Sequence, residues 1–537
     1  EPFTIKVNNA RVISITLTRP PDKTSYAQGE DFDPSGMVIT GHYQDGSTQE
    51  ERTYQISGYK KNIQGNQTVT ISVNNLSVPL PVIVGPPIPA SLQIITNRSS
   101  AAGYNHKTHP YKSVYRKGEN LDLSDMVVGT VSTIGVSSII VGVSAADVSG
   151  YNPNQAGTQT LTLKIGNGTD TFIVDVLDPQ PALYFDYGFM RTEADPNGAG
   201  KGAGRYSVPL GRTLVLAPVR VLVSDTATYN WQVSGGSYTT GTTSLREGFV
   251  FTPSATGTYT VTVTAHDGGA SVSASSTVVC VPALSSAPPA YSSGILVKNF
   301  APGQYTTSGS GHGWSLGAWG GYAIWRHRVV KNGTEYSFKV RGNPMGAWCE
   351  PGVVSVMQDE NNNGIPDDTW YELKGSEYGK PTTVQRYAMT YYKDSQYDEE
   401  HDGWKLGHPW VDNQGNVGIM PGGWPHEWGV TGNRVTFTGA KLPLLMNEGN
   451  VTTNPGFDWG YVDNMSDFIT VDGDDFRFRI SDAVQQDGSP VDLPWIDFIK
   501  VHTAVYGYNV TLGEISTEVN EGPDGESLTD FPLPEDS

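Results

Sequence analysis

The chain has 537 residues, with 55 Asp and Glu against 35 Lys and Arg and a net charge of −20 at pH 7. Its surface field therefore repels phosphate backbones and anionic headgroups and excludes nucleic acid as a partner. Charged residues are only 17%, while 62 glycines and 35 prolines suit many short strands joined by tight turns, so an all-β chain of several domains is expected.

The chain starts on the polar stretch EPFTIKVNNA, read as a tether that a signal peptide and a lipidated cysteine would precede. An internal repeat follows. SYAQGEDFDPSGMVITG (25–41) recurs as VYRKGENLDLSDMVVGT (114–130), and SGYKKNIQGNQTVTISVNN (57–75) recurs as SGYNPNQAGTQTLTLKIGN (149–167). The alternation in QTVTISV and QTLTLKI is that of half-buried strands, so residues 1–86 and 87–180 are each predicted to form a small β-sandwich. VGPPIPASL (84–92) is the semi-rigid join.

The next module, residues 181–283, carries YNWQVSGG and FVFTPSATGTYTVTVTAHDGG, with Trp231 expected in its core because an inward tryptophan mostly supplies buried area. GAGKGAG (198–204) lacks phosphate-loop spacing and is read as a loop. With no constellation of reactive side chains, these three modules are expected to act as spacers. VPALSSAPPAYSSG places a Pro/Ser-rich linker over 284–294.

Eleven of the twelve tryptophans lie beyond that linker, so residues 295–520 are expected to be the recognition domain, a larger β-sandwich, followed by an acidic tail over 521–537. Its closing IDFIKVHTAV and LGEISTEV read as two alternating strands. Cys280 and Cys349 fall in different domains, which excludes a disulfide framework; both are expected as buried apolar fillers. No apolar run is long enough to span a membrane.

Two stretches carry candidate chemistry. QDENNNGIPDD sets Asp359, Asn361 and Asn363 at alternate positions before Gly364, with the Ile365 carbonyl, Asp367 and Asp368 following; this is how a short loop wraps a hard cation, and structural calcium is the expected ligand. The alternative is a hairpin loop held by Asx-turns. The second stretch, with Trp404, Trp410, Asp412, Asn413, Trp424, His426 and Trp428, offers flat aromatic faces and hydrogen-bonding groups for a sugar or a large planar ligand. For hydrolysis the available carboxylates are Glu350, Glu372, Glu514 and Glu518, without a spacing that singles out a catalytic pair.

Several segments resemble known families. Tyr-x-x-Gly followed by SGMVITGHYQDGST and a closing G-x-x-T-x-T strand resembles the bacterial Ig-like module in the first copy, while VVGTVSTIG departs from it in the second. The third module resembles the PKD domain. SLGAWGGY, EPGVVSVMQDENNNGIPDDTWYELKGSEYG, WVDNQGN, WGYVDN and FRISDAV resemble the C-terminal domain of Bacteroidetes cell-surface proteins. The chain departs from their pattern at Trp325, Arg326, His327, Arg328 and Cys349. The resemblance implies tandem β-sandwiches ending in a jelly-roll-like one, on a lipoprotein facing outward from the outer membrane. It implies a non-enzymatic protein capturing a glycan or corrinoid for a TonB-dependent transporter, with an adhesin or a glycoside hydrolase as alternatives.

Overall fold

The computed structural model describes residues 10–95, 111–200, 204–290, 292–302, 314–331, 333, 335–344, 349–393, 407–420, 428, 432–445, 455–465, 475–509, 513–519 and 528–530. They form strands and two short 3-10 turns, an all-β protein. In the first module a three-stranded sheet (Val12–Arg19, Val38–Tyr43, Thr48–Glu50) faces a four-stranded one that includes Gly65–Val73 and Leu76–Gly85. Val69, Ile71 and Val73 point inward from Gly65–Val73, as the alternation requires.

The second module repeats the plan, and the repeated Tyr-x-x-Gly has a visible job. Tyr26 Oη donates to the carbonyls of Lys23 (2.7 Å) and Asp33 (3.2 Å); Tyr115 Oη donates to Lys112 (2.9 Å) and Asp122 (2.7 Å). A buried phenol thus closes the same turn in both copies. The divergent VVGTVSTIG still makes a hairpin between Val127–Ser132 and Ser137–Val141. In the third module Trp231 stacks on Phe249 at 5.0 Å and packs, half-buried, on the core of Leu216, Phe251 and Val261.

The C-terminal domain is built in three layers. A large central sheet, ordered Gly294–Asn299, Tyr322–Val330, Trp495–Thr503, Gly352–Met357, Trp370–Leu373, Ala483–Val484, forms the middle. One face packs Tyr322, Ile324, Met357 and Phe498 on Tyr387, Met389, Tyr391 and Phe437 of a five-stranded sheet. The other packs Trp325, Val354, Val356 and Ile499 on Phe338, Val340, Phe476 and Phe478 of a smaller one. Trp495–Thr503 is consequently buried at every residue rather than alternating. A covered second face leaves no position for solvent, so period 2 disappears. LGEISTEV contributes only the short strands Gly513–Glu514 and Glu518–Val519.

The expectation of spacers fails for the PKD-like module. Its outer segment Arg191–Thr192 adds a strand to the five-stranded sheet by pairing with Arg434–Lys441. Val215 N and Ala217 N donate to Gln485 Oε1 (3.1 Å) and Gln486 Oε1 (2.6 Å), and Gln485 Nε2 returns a bond to Thr213 O at 2.8 Å. Ion pairs join Arg205 to Asp367, Arg212 to Glu360 and Arg386 to Glu247. The second Ig-like module also touches the sheet, with Val114 and Leu177 against Val411. Backbone groups satisfied across a boundary in this number tie the modules into one body.

The linker is held as well. Arg326 Nε donates to Ser292 O at 3.1 Å, Ser293 Oγ bonds His327 Nδ1 at 3.0 Å, and Arg328 reaches the carbonyls of Pro288 and Pro289 and pairs with buried Asp497. Arg326, His327 and Arg328 therefore form the clamp on the linker. Both cysteines are buried and outside any disulfide, and the Cys349 sulfur accepts from Met465 N at 3.1 Å.

Candidate functional site

The acidic loop follows Gly352–Met357 and lies on the seam with the PKD-like module. Asp359 Oδ1 accepts from Asn363 N (3.1 Å) and Oδ2 from Gly364 N (2.7 Å), while Asn362 and Gly364 take the left-handed backbone that a tight wrap requires. Asn361 Nδ2 donates to Asp367 Oδ1 (3.1 Å) and Asp368 Oδ1 (3.3 Å), and Glu360 N to Asp368 Oδ2 (3.0 Å). Burial pushes Asp368 well above the usual carboxylate range, with Asp367, Asp359 and Glu360 adding to it. Burial also raises Glu360 to about 7 against the pull of Arg212.

The Asx-turn bonds are thus formed, and one feature of the same loop fits a cation. Asn361 Oδ1 is buried without a hydrogen-bond partner among the described residues. An amide oxygen suits a hard cation, but the loop's other candidate oxygens are engaged within it: those of Asp359 by Asn363 N and Gly364 N, Asn363 Oδ1 by Ile365 N and the Ile365 carbonyl by Asp367 N, and Asp359, Asp367 and Asp368 do not converge as a carboxylate cluster.

The second predicted stretch is only partly visible, since Trp404, Trp424 and His426 lie outside the described residues. Asp412 is buried and accepts from Tyr387 Oη (2.9 Å), Gln414 N (2.9 Å), Asn416 N (2.8 Å) and Asn416 Nδ2 (2.8 Å). Asn413 spends its amide on Ala388 N, Arg220 O and Arg386 O, tying the sheet to the PKD-like module. Trp410 donates to Tyr506 Oη at 2.6 Å, and Trp428 is buried with its indole N–H on Gly432 O at 2.7 Å. The described members of this stretch are held in packing and cross-module contacts.

Tryptophan abundance itself has a structural cause. Trp319, Trp325, Trp428 and Trp495 are buried, and Trp370 and Trp410 half-buried; a domain with two apolar interfaces has room for large side chains that a two-sheet sandwich lacks. Among the tryptophans whose burial is described, Trp459 alone is exposed, at 38%. It borders a groove of about 410 Å³ with Tyr336, Leu373, Lys374, Asp458, Gly460, Arg477, Phe478, Arg479 and Asp482. The Arg479 guanidinium lies 4.3 Å from the Tyr336 ring centre, and Ser376 N fixes the loop by donating to Trp459 O at 2.9 Å. No period or motif in the sequence separates Trp459 from its buried counterparts.

Two further polar clusters lie in the same domain. Glu350, Asp463 and Glu518 bring one carboxylate oxygen each within 4.8 Å of the others; burial, then the neighbouring Glu518, pushes Glu350 well above its ordinary value, and burial takes Glu518 to about 7. That is closer than the roughly 5 Å or more that a sugar between two catalytic carboxylates requires, while the oxygens converge as a divalent-cation site would need. Glu372, Ser355 and Lys500 line up across three paired strands and, with His502, line a pocket of about 100 Å³ at the PKD-like seam. Lys500 Nζ donates to Gly188 O at 3.0 Å. Burial raises Glu372 to about 7 and lowers His502 to about 3.

Residues 19–84 and 108–176 match the bacterial Ig-like domain (group 3) family, and residues 201–280 match the PKD domain. Pectate lyase L of Thermoclostridium stercorarium is 24% identical over 155 residues, which span 27% of this chain and 12% of that protein. Among solved structures, the S-layer protein SbsC is 15% identical with a TM-score of 0.20 over 54% of this chain and 42% of its own. The titin I-band fragment I67–I69 is 10% identical with a TM-score of 0.17, over 50% of this chain and all of its own. The chain thus carries two segments matching the bacterial Ig-like domain and one matching the PKD domain, and it spans a small part of the pectate lyase and less than half of the S-layer protein. Among the described residues no helix is long and apolar enough to cross a membrane.

Proposed function

We propose that this is a non-enzymatic binding protein displayed outside the cell on a lipid-anchored chain, whose C-terminal domain captures an extracellular nutrient, a glycan or a corrinoid, for a TonB-dependent transporter of the outer membrane. The observation that carries this reading is the groove beside Trp459. A large aromatic face left in water, flanked by a second ring and by hydrogen-bonding groups, is what a site for a flat, polar ligand presents. The Asp359 loop takes calcium in this reading. Its ligands would be Asp359, Asn361, Asn363, the Ile365 carbonyl, Asp367 and Asp368, and the ion would be structural, stiffening the seam that holds the PKD-like module.

The test is thermal unfolding of the full chain against neutral glycans, acidic glycans and cobalamin. A ligand bound only by the native state at about 100 times its Kd adds roughly 2.7 kcal/mol, a visible shift. A shift that Trp459→Ala removes supports capture in the groove; no shift with any probe refutes it.

Adhesion is the second reading, favoured by one observation. The edge strand Ser137–Val141 of the second Ig-like module leaves Ile139 47% and Val141 63% exposed, a template for an added strand. Retention of cells on a protein-coated surface that Ile139→Lys abolishes, without any soluble ligand, would move the function there.

A further inference from the structure

We propose that the groove of Tyr336, Lys374, Trp459, Arg477 and Arg479 binds an anionic saccharide, a pyranose carrying a carboxylate or sulfate, with the sugar ring stacked on Trp459 and the anion held by Arg479 and Lys374. This rests on the capture reading above and names the ligand class for it.

The charge of the groove runs against that of the chain. Acidic residues outnumber basic ones 55 to 35 overall, yet the groove is lined by Lys374, Arg477 and Arg479 against Asp458 and Asp482. Asp458 stands exposed at the rim, where a carboxylate can accept from sugar hydroxyls without neutralising the floor. Asp482 lies deeper, between cations; burial raises it while Arg479 and Lys374 pull it down. One carboxylate is thus shared by two cations, which leaves positive charge for a ligand.

The geometry of Arg479 adds an independent argument. Its guanidinium is laid on the Tyr336 ring at 4.3 Å, which fixes the plane in which its N–H groups point. Its Nε is buried without a hydrogen-bond partner among the described residues. A guanidinium held on a ring offers paired N–H groups in one plane, and a planar carboxylate or a sulfate supplies two oxygens in the matching geometry. A neutral sugar or the amides of a corrinoid could stack on Trp459, but neither would give this guanidinium a charged acceptor. Trp459 provides the complementary face: an indole left 38% exposed beside fixed cations binds a ring that is flat on one side and charged at its edge.

The test uses the full chain and four probes in titration calorimetry: polygalacturonate, chondroitin sulfate, neutral dextran and cobalamin, at low and at moderate salt. Binding of one or both acidic polymers, weakened by salt and lowered at least tenfold by Trp459→Ala and by Arg479→Gln, is expected; tenfold is about 1.4 kcal/mol. Thermal unfolding of Trp459→Ala should stay close to the parent, since Trp459 is exposed, and for Arg479→Gln the unfolding midpoint without ligand separates lost binding from lost folding. Dextran or cobalamin bound as tightly as the acidic polymers, with Arg479→Gln silent and Trp459→Ala harmful, would overturn the anionic class and leave capture standing. Acidic polymers bound equally well by both variants would overturn the groove as the site. Binding of none of the four would overturn both readings together.

Discussion

Replacing Arg212 by Met tests whether the PKD-like module is part of the C-terminal domain's stability. Arg212 pairs with Glu360 and donates to Gln358 Oε1 at 3.2 Å, with side-chain exposures of 17% and 3% for the pair. Glu360 titrates near 7 even with its partner present, because burial outweighs the guanidinium and Asp497 and Asp359 add repulsion. A carboxyl raised in the folded state from an ordinary 4.5 contributes stability that is complete below 4.5 and is lost as pH rises through the folded value. In the parent that loss ends near pH 7. Without Arg212 the folded value moves higher, so the loss continues, at about 1.36 kcal/mol per pH unit. At about pH 6, where Glu360 is mostly protonated, Arg212→Met is expected to cost about 1 kcal/mol, the size of a lost hydrogen bond. From pH 7 to about pH 8.5 a further 2 kcal/mol or so accrues, giving about 3 kcal/mol, the low end for breaking a buried pair. Urea unfolding of the full chain, followed by tryptophan fluorescence, reports on the C-terminal domain, since only Trp231 lies outside it. Adding Glu360→Gln should abolish the growth with pH. An equal cost at both pH values would refute the reasoning.

Three further outcomes are expected. Calcium should raise the midpoint of thermal unfolding of the full chain relative to chelator, and Asp359→Asn should remove the difference; equal midpoints in the parent would return the loop to a plain Asx-turn. Trp428→Ala should cost about 3–5 kcal/mol in urea unfolding and Trp459→Ala, whose residue is 38% exposed, clearly less, and similar costs would contradict their assigned burial. A chain lacking residues 181–283 should unfold at lower temperature in its C-terminal domain, by about 2–4 °C for each kcal/mol that the seam contributes; an unchanged midpoint would make the module a spacer.

The parts of this fold that could be read from sequence are those with one wet face. The repeats announce themselves because Val69, Ile71 and Val73 alternate with polar neighbours and because a phenol that must reach the same two carbonyls fixes Tyr26 and Tyr115 in register with their glycines. In Trp495–Thr503 the same logic misleads, since Asp497, Lys500 and His502 look like solvent positions. They are instead buried groups with partners in Arg328, Gly188 and Ala440. The candidate sites divide likewise. The acidic loop is local and its chemistry is legible in eleven consecutive residues. The Trp459 groove and the Glu350, Asp463, Glu518 cluster are assembled from separate segments, and nothing local distinguishes their members.

The seam also explains why a module without reactive side chains carries so many buried polar bonds. An apolar seam alone would hold the module in position without fixing its register. Here register comes from directional groups: a strand added at Arg191–Thr192, glutamines that read backbone amides at Val215 and Ala217, and guanidiniums from the PKD-like module set into the acidic loop of its neighbour. Because the loop is anchored at Asp359 N by Asp497, which also pairs with Arg328 on the linker clamp, loop, linker and PKD-like module share one set of charges. Asp497 and Glu360, both of which burial holds above the usual carboxylate range, thus sit where loop, linker and PKD-like module meet.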